Sequence, residues 1–471
     1  MTSTLIEFKR GIYEEHLEEV SFLYQQRVSM LADPHQPWMA TEPFEDRLEA
    51  HLDALVLGAT DAMQLCRERS AGGDAGDVFA LTALACRLRD AHAFASILEQ
   101  VEADAALRTR AVADALEQEL PQPWHLHLVT ALQNAGPRLL PILAQVAGSR
   151  RLPAAAVVAD VLRHASGVGI LHLLWAAGRV RGDACLETVR LRYADPNAGI
   201  QRAALRAGLR MHDDEARDRI VTAPLESASA VLLGLCGDQR AAEPLCRLLV
   251  ARPVPSAAIA LGLLGDASAL PHLLSTLAQS DSASPTAQML TQALFLITGA
   301  LLFEDMLEPE PVAEDELFER ELAAYQERGE RPRRTDGRLF GPVVRRLSTD
   351  AAMWSDWLGK HGEQFKALRR YRFGLPDVLA SARAGLLSGV ISRPVRDLLI
   401  DESVVRHGVD LGVETSMPVA LQCKMLRPDP GVLHADRPLE PGSWCFGSRP
   451  CLATGVHQSV AIAPAVNTPR S

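Results

Sequence analysis

Histidines and acidic residues are the side chains best suited to bind a metal ion, but their spacing in this chain matches none of the common metal-binding motifs. None of the fourteen histidines is followed directly by glutamate, and neither HExxH nor the Cys/His spacing of a zinc finger occurs. His125 and His127, in the stretch WHLHL, point in nearly opposite directions from a helix, so they cannot share one ion. The acidic run 213–218, DDEARD, is typical of a solvated helix start. The sequence therefore predicts no metal site and no cofactor.

Motifs for nucleophilic catalysis and phosphate binding are also missing from the sequence. There is no GxSxG elbow, no Walker loop and no GxGxxG that follows a strand. Gly167 and Gly169, in SGVGILHLL, open an apolar helix without a preceding strand. We therefore expect no catalytic residue and a chain that is not an enzyme.

Arginines spaced by four residues offer a charged surface instead. Arg202, Arg206 and Arg210 share one face of a predicted helix. A groove lined by them would also suit DNA, but a net charge of −11 and an aromatic content of 5% argue against a nucleic-acid partner. We expect a protein partner, because arginine and tryptophan are enriched where proteins bind each other. The candidate protein-binding residues are Arg202, Arg206, Arg210, Arg247, His272, Trp354 and Trp357.

The elements that carry these residues repeat along the chain. Residues 229–249 read SAVLLGLCGDQRAAEPLCRLL and residues 257–277 read AAIALGLLGDASALPHLLSTL. In each copy an apolar helix reaches a glycine, Gly237 or Gly265, which suits the left-handed position after a helix. The aspartate that follows, Asp238 or Asp266, suits the N-cap of a second helix. Each copy therefore predicts one helical hairpin.

Weaker copies extend the series upstream, with Gly182-Asp183 and His212-Asp213 at the turns. Their acidic caps recur about every thirty residues, and still fainter hairpins cover 124–149 and 78–101. The apolar faces are too wide to be covered within one hairpin, so hairpins must stack. The predicted fold is all-α, an α-solenoid of stacked hairpins. The second helices, 241–250 and 269–278, are expected to line its concave, partner-binding face.

These units resemble HEAT-like repeats, especially the short bacterial kind with a Leu-Gly-x-x-Gly-Asp turn, over about 170–300 and more loosely over 75–150. The resemblance implies a superhelical array that generally binds proteins, although some members are enzymes. The HEAT enzymes that hydroxylate a modified lysine need His-Glu pairs, which this chain lacks. A bilin-lyase-like or DNA-glycosylase-like activity in the concave groove stays open as the alternative to protein binding.

The two ends of the chain differ from the repeats. We predict an N-terminal helical pair capping the array (1–70), the repeat solenoid (75–303), a charged linker or excursion (304–345), a C-terminal helical module (346–426) and a Pro/Gly/Ser-rich irregular tail (427–471). The excursion is acidic over 304–322 and mainly basic over 328–338. It is interpreted as a solvated segment, with a docking loop or a self-complementary pair as alternatives.

Both ends carry a second resemblance. YEEHLEEVSFLYQQR, EDRLEAHLDAL and a W-x-x-W-x-x-x-H pattern followed by RYRFGLP are similar to an uncharacterised family of HEAT-repeat proteins from Gram-negative bacteria. Its members are often encoded beside type VI secretion components. The resemblance implies an adaptor or chaperone for an effector or spike protein, and it supplies no catalytic residues.

Cysteine use and hydropathy indicate the compartment. The eight cysteines form no CxxC pair, which is typical of reduced thiols in a cytoplasmic protein, and Cys445 and Cys451 are the only two close enough in sequence to suggest pairing. The longest apolar run, 289–303, is too short to cross a bilayer. The N-terminal MTSTLIEFKRGIYEEH has charges where a signal peptide needs apolar residues. No membrane partner is expected.

Overall fold

The computed structural model describes residues 3–33, 36–101, 106–167, 169–310, 312–427 and 441–451. Most of these residues lie in α-helices, and the strands of the described part form three two-stranded antiparallel ladders. The all-α class predicted from the sequence is confirmed.

Two long helices begin the chain. They are α1 (Ser3–Ala32) and α2 (Glu42–Ser70), joined through a 3-10 turn at Trp38–Thr41. Leu48, Leu52 and Leu55 recur on one stripe of α2 and are buried, so the amphipathic pattern of the sequence becomes the face that packs on α1.

A succession of shorter helices follows, and most of them pack on the next helix of the chain or on the one after it. They are α3 (Ala75–Leu88), α4 (Ala91–Gln100), α5 (Ala106–Glu119), α6 (His125–Gln133), α7 (Leu140–Ser149), α8 (Ala155–His164), α9 (Gly169–Val180), α10 (Asp183–Arg190), α11 (Ala198–Arg210), α12 (Asp214–Thr222), α13 (Ala230–Cys236), α14 (Ala242–Ala251), α15 (Pro255–Leu264), α16 (Leu270–Leu277) and α17 (Pro285–Thr298). The odd-numbered helices from α3 to α17, here called the first helices, pack on one another in order from α3 to α11 and again from α13 to α17. Packing between α11 and α13 is much looser.

The repeated turns follow the predicted chemistry with two exceptions. Asp213, Asp238 and Asp266 each accept a hydrogen bond from a backbone N–H of the next helical turn, as predicted for N-caps. Asp183 does not cap: it is the first helical residue of α10, after Gly182. Gly265 has the predicted left-handed backbone (φ +75°), whereas the prediction for Gly237 is wrong, because its φ is −68°.

The first glycine of the repeated motif Leu-Gly-Leu-x-Gly-Asp, which is Gly234 in one copy and Gly262 in the other, has a packing role that was not predicted from the sequence. A Cβ built on Gly234 in α13 would lie 2.5 Å from the carbonyl oxygen of Ala260 in α15. A Cβ on Gly262 in α15 would lie 2.8 Å from the Cα of Ala293 in α17. Glycine therefore lets neighbouring first helices approach backbone to backbone.

Helices α1 to α17 are here called the row. After α17 the chain leaves the row and later returns to it. The remaining elements are β1 (Phe303–Leu307), α18 (Glu319–Arg328), β2 (Val343–Leu347), α19 (Ala351–His361), β3 (Tyr371–Arg372), β4 (Leu375–Pro376), α20 (Leu379–Leu386), α21 (Arg393–His407), α22 (Val419–Leu426), β5 (Cys445–Phe446) and β6 (Arg449–Pro450). The ladder β1–β2 sets acidic residues opposite basic ones, and Glu304 pairs with Arg346 at 3.2 Å. The charged segment thus starts and ends in one ladder.

Residues 365–427 and 441–451, here called the inner segment, lie against the first helices. Its helix α21 packs on α11, α13 and α15, and its side chains from Leu399 to His407 are buried. The prediction of an irregular tail from 427 onward is wrong for 441–451, because Trp444, Cys445 and Phe446 are buried there around a β-hairpin. The rest of the predicted tail, 428–440 and 452–471, lies outside the described residues.

The inner segment also touches both ends of the helical row. The indole N–H of Trp38, beside α1, donates to the carbonyl oxygen of Ser388 at 3.0 Å, and Arg393 donates to the carbonyl oxygen of Leu31 at 3.2 Å. Two residues after Ser388, the carbonyl oxygen of Val390 accepts from Gln292 of α17 at 3.5 Å. The first and last helices of the row therefore meet the same short stretch of chain.

Candidate functional site

Charged side chains join α21 to α11. Asp401, fully buried on α21, pairs with Arg206 and with Arg210, the latter at 2.5 Å. Burial opposes ionisation of this carboxyl, but the two guanidinium groups outweigh it and lower the pKa of Asp401 to about 2. Burial also lowers the pKa of Arg210 to about 10, so this guanidinium stays charged at neutral pH. The joint is therefore a true ion pair.

The neighbouring residue on α21 makes a second buried joint with the β3–β4 hairpin. Glu402 pairs with Arg370 and with Arg372, the latter at 2.5 Å, and none of the three side chains is exposed. Arg372 also donates to the carbonyl oxygens of Gly262 and Leu263 at the end of α15. The motif RYRFGLP thus fastens the inner segment to the row.

A third joint lies where the chain leaves α21. Glu414 accepts two hydrogen bonds from Arg179 of α9, at 2.7 and 2.9 Å, and pairs with Arg151 at 2.7 Å. Asp410 pairs with Arg151, Arg181 and Arg210 at 3.1 to 3.4 Å. Because all these charges pair with each other between chain segments, they hold the inner segment in place.

A cavity of about 330 Å³ opens beside these joints, between α9, α11, α13 and α21. Its apolar lining includes Leu174 and Trp175 of α9, Leu232 and Leu235 of α13, and Leu398 of α21. Two of the predicted contact residues, Arg202 and Arg206, line it, and Arg210 lies at its inner end, almost fully buried. Arg210 is therefore corrected from a surface contact residue to an internal one.

Arg247 and His272 come together in a different place. Both line an open groove of about 650 Å³ between the second helices α14 and α16. The groove has an apolar part, with Val250 60% exposed and Leu368 63% exposed, and charged residues of both signs, Arg240 and Glu243, at its border. Arg247 and His272 therefore lie in one accessible groove on the side of the row formed by the second helices.

Trp354 and Trp357 occupy unlike environments. Trp354 is fully buried and its indole N–H donates to the carbonyl oxygen of Ser348 at 2.7 Å, so the expectation that it contacts a partner is corrected to an internal packing role. Trp357 is half-buried and stacks on His361, with ring centroids 4.5 Å apart. Cys445 and Cys451 are free thiols.

The buried carboxylates of α21 were missed by sequence reasoning, although a signal was present. The stretch LLIDESVV places Asp401 and Glu402 between apolar residues on both sides, a pattern that a solvated helix face would not show. In RYRFGLP, Arg370 and Arg372 are the matching cations. A search for buried acids with arginines elsewhere in the chain would have found this joint.

The fold and its sites define an all-α protein of helical hairpins whose own C-terminal segment packs along the row. Comparisons with family models, with curated proteins and with solved structures find no match for this chain. In the described part of the chain, no three His, Cys, Asp or Glu side chains are grouped to hold a metal ion. None of the helices described there combines the length and the hydropathy needed to cross a bilayer.

Proposed function

We propose that this chain is a HEAT-like α-solenoid that binds another protein through the groove between α14 and α16, as an adaptor or chaperone. The observation that carries the proposal is this groove: it is broad, accessible, partly apolar and bordered by Arg240, Arg247 and Glu243. Stacking of first helices in chain order, from α3 to α11 and from α13 to α17, supports the solenoid, because stacked hairpins cover each other's apolar faces. A rigid preformed groove binds at a low ordering cost.

The partner class comes from the sequence resemblance, which points to an effector or spike component of type VI secretion. The enzyme alternative would need titratable groups that converge in a pocket open to substrate. The group around Glu402 is fully buried and paired with Arg370 and Arg372. The described residues that line the cavity beside Arg202 include arginines but no carboxylate, histidine or cysteine that could act as base or nucleophile. This arrangement supports binding over catalysis as the function.

Affinity capture with matched variants tests the proposal. The tagged chain, expressed in its native host, is compared with Val250→Asp in the groove and with Leu126→Asp on α6, whose leucine is 73% exposed and outside the groove. We expect one protein to copurify stoichiometrically with the wild type and Leu126→Asp, and at least about tenfold less with Val250→Asp. Equal capture by Val250→Asp, or no stoichiometric partner for the wild type, would refute the proposal.

A further inference from the structure

The cavity beside Arg202 exists because the row of first helices opens at one place. Helices α9 and α11 pack closely, as do α13 and α15, whereas α11 and α13 stand apart. The cavity lies at this gap. Residues of α9 and α11 line one side of it, residues of α13 line the other side, and Leu398 of α21 completes the lining. It is a site separate from the groove between α14 and α16, and it does not depend on the proposed function.

Arginine supplies all the charged groups of the lining. Arg179, Arg202, Arg206 and Arg210 line the cavity and no acidic residue does. Arg179, Arg206 and Arg210 are engaged with Glu414 and Asp401, but Arg206 remains 37% exposed. The side chain of Arg202 is half-buried and makes no hydrogen bond or ion pair with any residue that the structure describes.

The wider cluster has more cations than anions. Six guanidinium groups (Arg151, Arg179, Arg181, Arg202, Arg206 and Arg210) face three carboxylates (Asp401, Asp410 and Glu414). Asp397, one turn earlier on α21, accepts a hydrogen bond from the hydroxyl of Thr415 at 2.6 Å, and its charge is offset by Arg393 of the same helix, so it does not remove this excess. An anion at Arg202 and Arg206 would therefore reduce an excess of positive charge in a place where water screens poorly.

The rest of the cavity is apolar. Leu174, Trp175, Leu232 and Leu235 form two walls, and the guanidinium carbon of Arg179 lies 3.6 Å from the ring centroid of Trp175, which shields that side. A fully polar anion would leave these walls without contacts, and a neutral hydrocarbon would leave Arg202 unpaired. The ligand must combine both features.

We propose that this cavity binds a small amphiphilic carboxylate, with its head on Arg202 and Arg206 and its aliphatic chain between α9 and α13. A carboxylate matches the planar fork of a guanidinium group with two parallel hydrogen bonds. A straight chain of about eight carbons is of the size that a cavity of 330 Å³ accepts. Such a ligand would fill the one opening in the row.

Titration calorimetry of the full chain with octanoate tests the proposal, with octanol, octylamine and acetate as comparison ligands. We expect octanoate to bind and the three others to bind at least about tenfold more weakly, because each lacks the negative head or the chain. Octanoate should also raise the thermal unfolding midpoint, since it binds the folded state. Equal binding of octanol or acetate, or no binding of octanoate, would overturn the proposal.

Two variants locate the site. Arg202→Gln should weaken octanoate at least about tenfold, while Arg163→Gln, at an exposed arginine of α8 outside both the cavity and the groove, should leave its affinity unchanged. Ala203→Phe places a ring in the cavity and should abolish binding without lowering the unfolding midpoint, which shows that loss of affinity is not loss of fold. Wild-type affinity in either Arg202→Gln or Ala203→Phe would show that octanoate binds elsewhere and would overturn the proposal.

Discussion

At the scale of single residues, burial of charge is the main feature of this molecule. Asp401 and Glu402 are adjacent on α21 and both are fully buried, yet each meets two arginines from a different part of the chain. An ion pair of this kind adds little net stability compared with an apolar contact, but losing one member leaves a buried charge uncompensated. These residues therefore specify where the inner segment docks.

Neutralising Glu402 should show how much the protein is destabilised when a buried charge loses its partner. In Glu402→Gln the guanidinium groups of Arg370 and Arg372 lose their shared carboxylate, and we expect the free energy of unfolding to fall by about 3–5 kcal/mol. Glu243→Gln is the control, because Glu243 is exposed on α14 and pairs with Arg247 only at 3.7 Å. Urea unfolding at pH 7 measures both variants, and equal stability of the two would contradict the role given to Glu402.

Glu117 should make stability depend on pH in the opposite way to a salt-bridged carboxylate. Burial, with Asp114 and Glu414 nearby, raises the pKa of this carboxyl to about 7. The folded state therefore holds its proton where the unfolded state has lost it, so this contribution to stability is complete below about pH 4 and is lost as pH rises through 7.

The Glu117→Gln variant tests this dependence, because glutamine is neutral and can keep the contacts with Gln145 and Ser416. Relative to wild type, we expect it to gain about 2–3 kcal/mol in the free energy of unfolding between pH 5 and pH 8.5. Urea unfolding at the two pH values gives the difference. A gain of the same size at both would contradict the raised pKa.

At the scale of elements, the close approach of neighbouring helices explains the first glycine of the repeated motif Leu-Gly-Leu-x-Gly-Asp. Gly234→Ala would force α13 away from the backbone of α15, and we expect a loss of about 1–3 kcal/mol in the free energy of unfolding. Gly359→Ala in α19 is the matched control, because a Cβ there meets nothing within 4 Å. We expect the control to be about 0.5–1 kcal/mol more stable than wild type, since alanine favours helix. Thermal or urea unfolding should rank the two variants on opposite sides of wild type.

Rules that use residues close in sequence predicted the helices and their caps better than they predicted which segments pack together. Apolar spacing and capping residues gave the hairpins and the N-caps at Asp213, Asp238 and Asp266, because those interactions join residues close in sequence. The position of α21 depends on pairs such as Arg210 with Asp401, which are 191 residues apart. No local pattern reports such a pair, so the sequence placed Arg210 on the surface and left the inner side of the row open.

At the scale of the whole molecule, the inner segment connects the two ends of the helical row. Trp38 is 4% exposed, its indole N–H bonds the inner segment, and the guanidinium group of Arg396 stacks on its ring at 3.8 Å. Val390, close to that contact in sequence, accepts from Gln292 of α17. The inner segment therefore braces the two ends of the row against each other.

Removing the contact of Trp38 with the inner segment at one end of the row should also destabilise the other end, at α17. In Trp38→Ala we expect the free energy of unfolding to fall by about 3–5 kcal/mol and amide hydrogen exchange to speed up in α1, in 388–394 and in α17. Trp357→Ala is the control, because Trp357 stacks on His361 of the same helix and its effect should stay near α19. Exchange mapped by mass spectrometry decides between them, and unchanged exchange in α17 of Trp38→Ala would show that the ends are not connected.

The order of the chain has a consequence for synthesis. Arg210 leaves the ribosome 191 residues before its partner Asp401, a delay of about 10–40 s at ordinary translation rates. During that time the nascent row exposes apolar helix faces and arginines without their counter-ions. Because the last quarter of the chain covers these surfaces, a stalled or shortened product would keep them open to water and would be a ready target for chaperones and proteases.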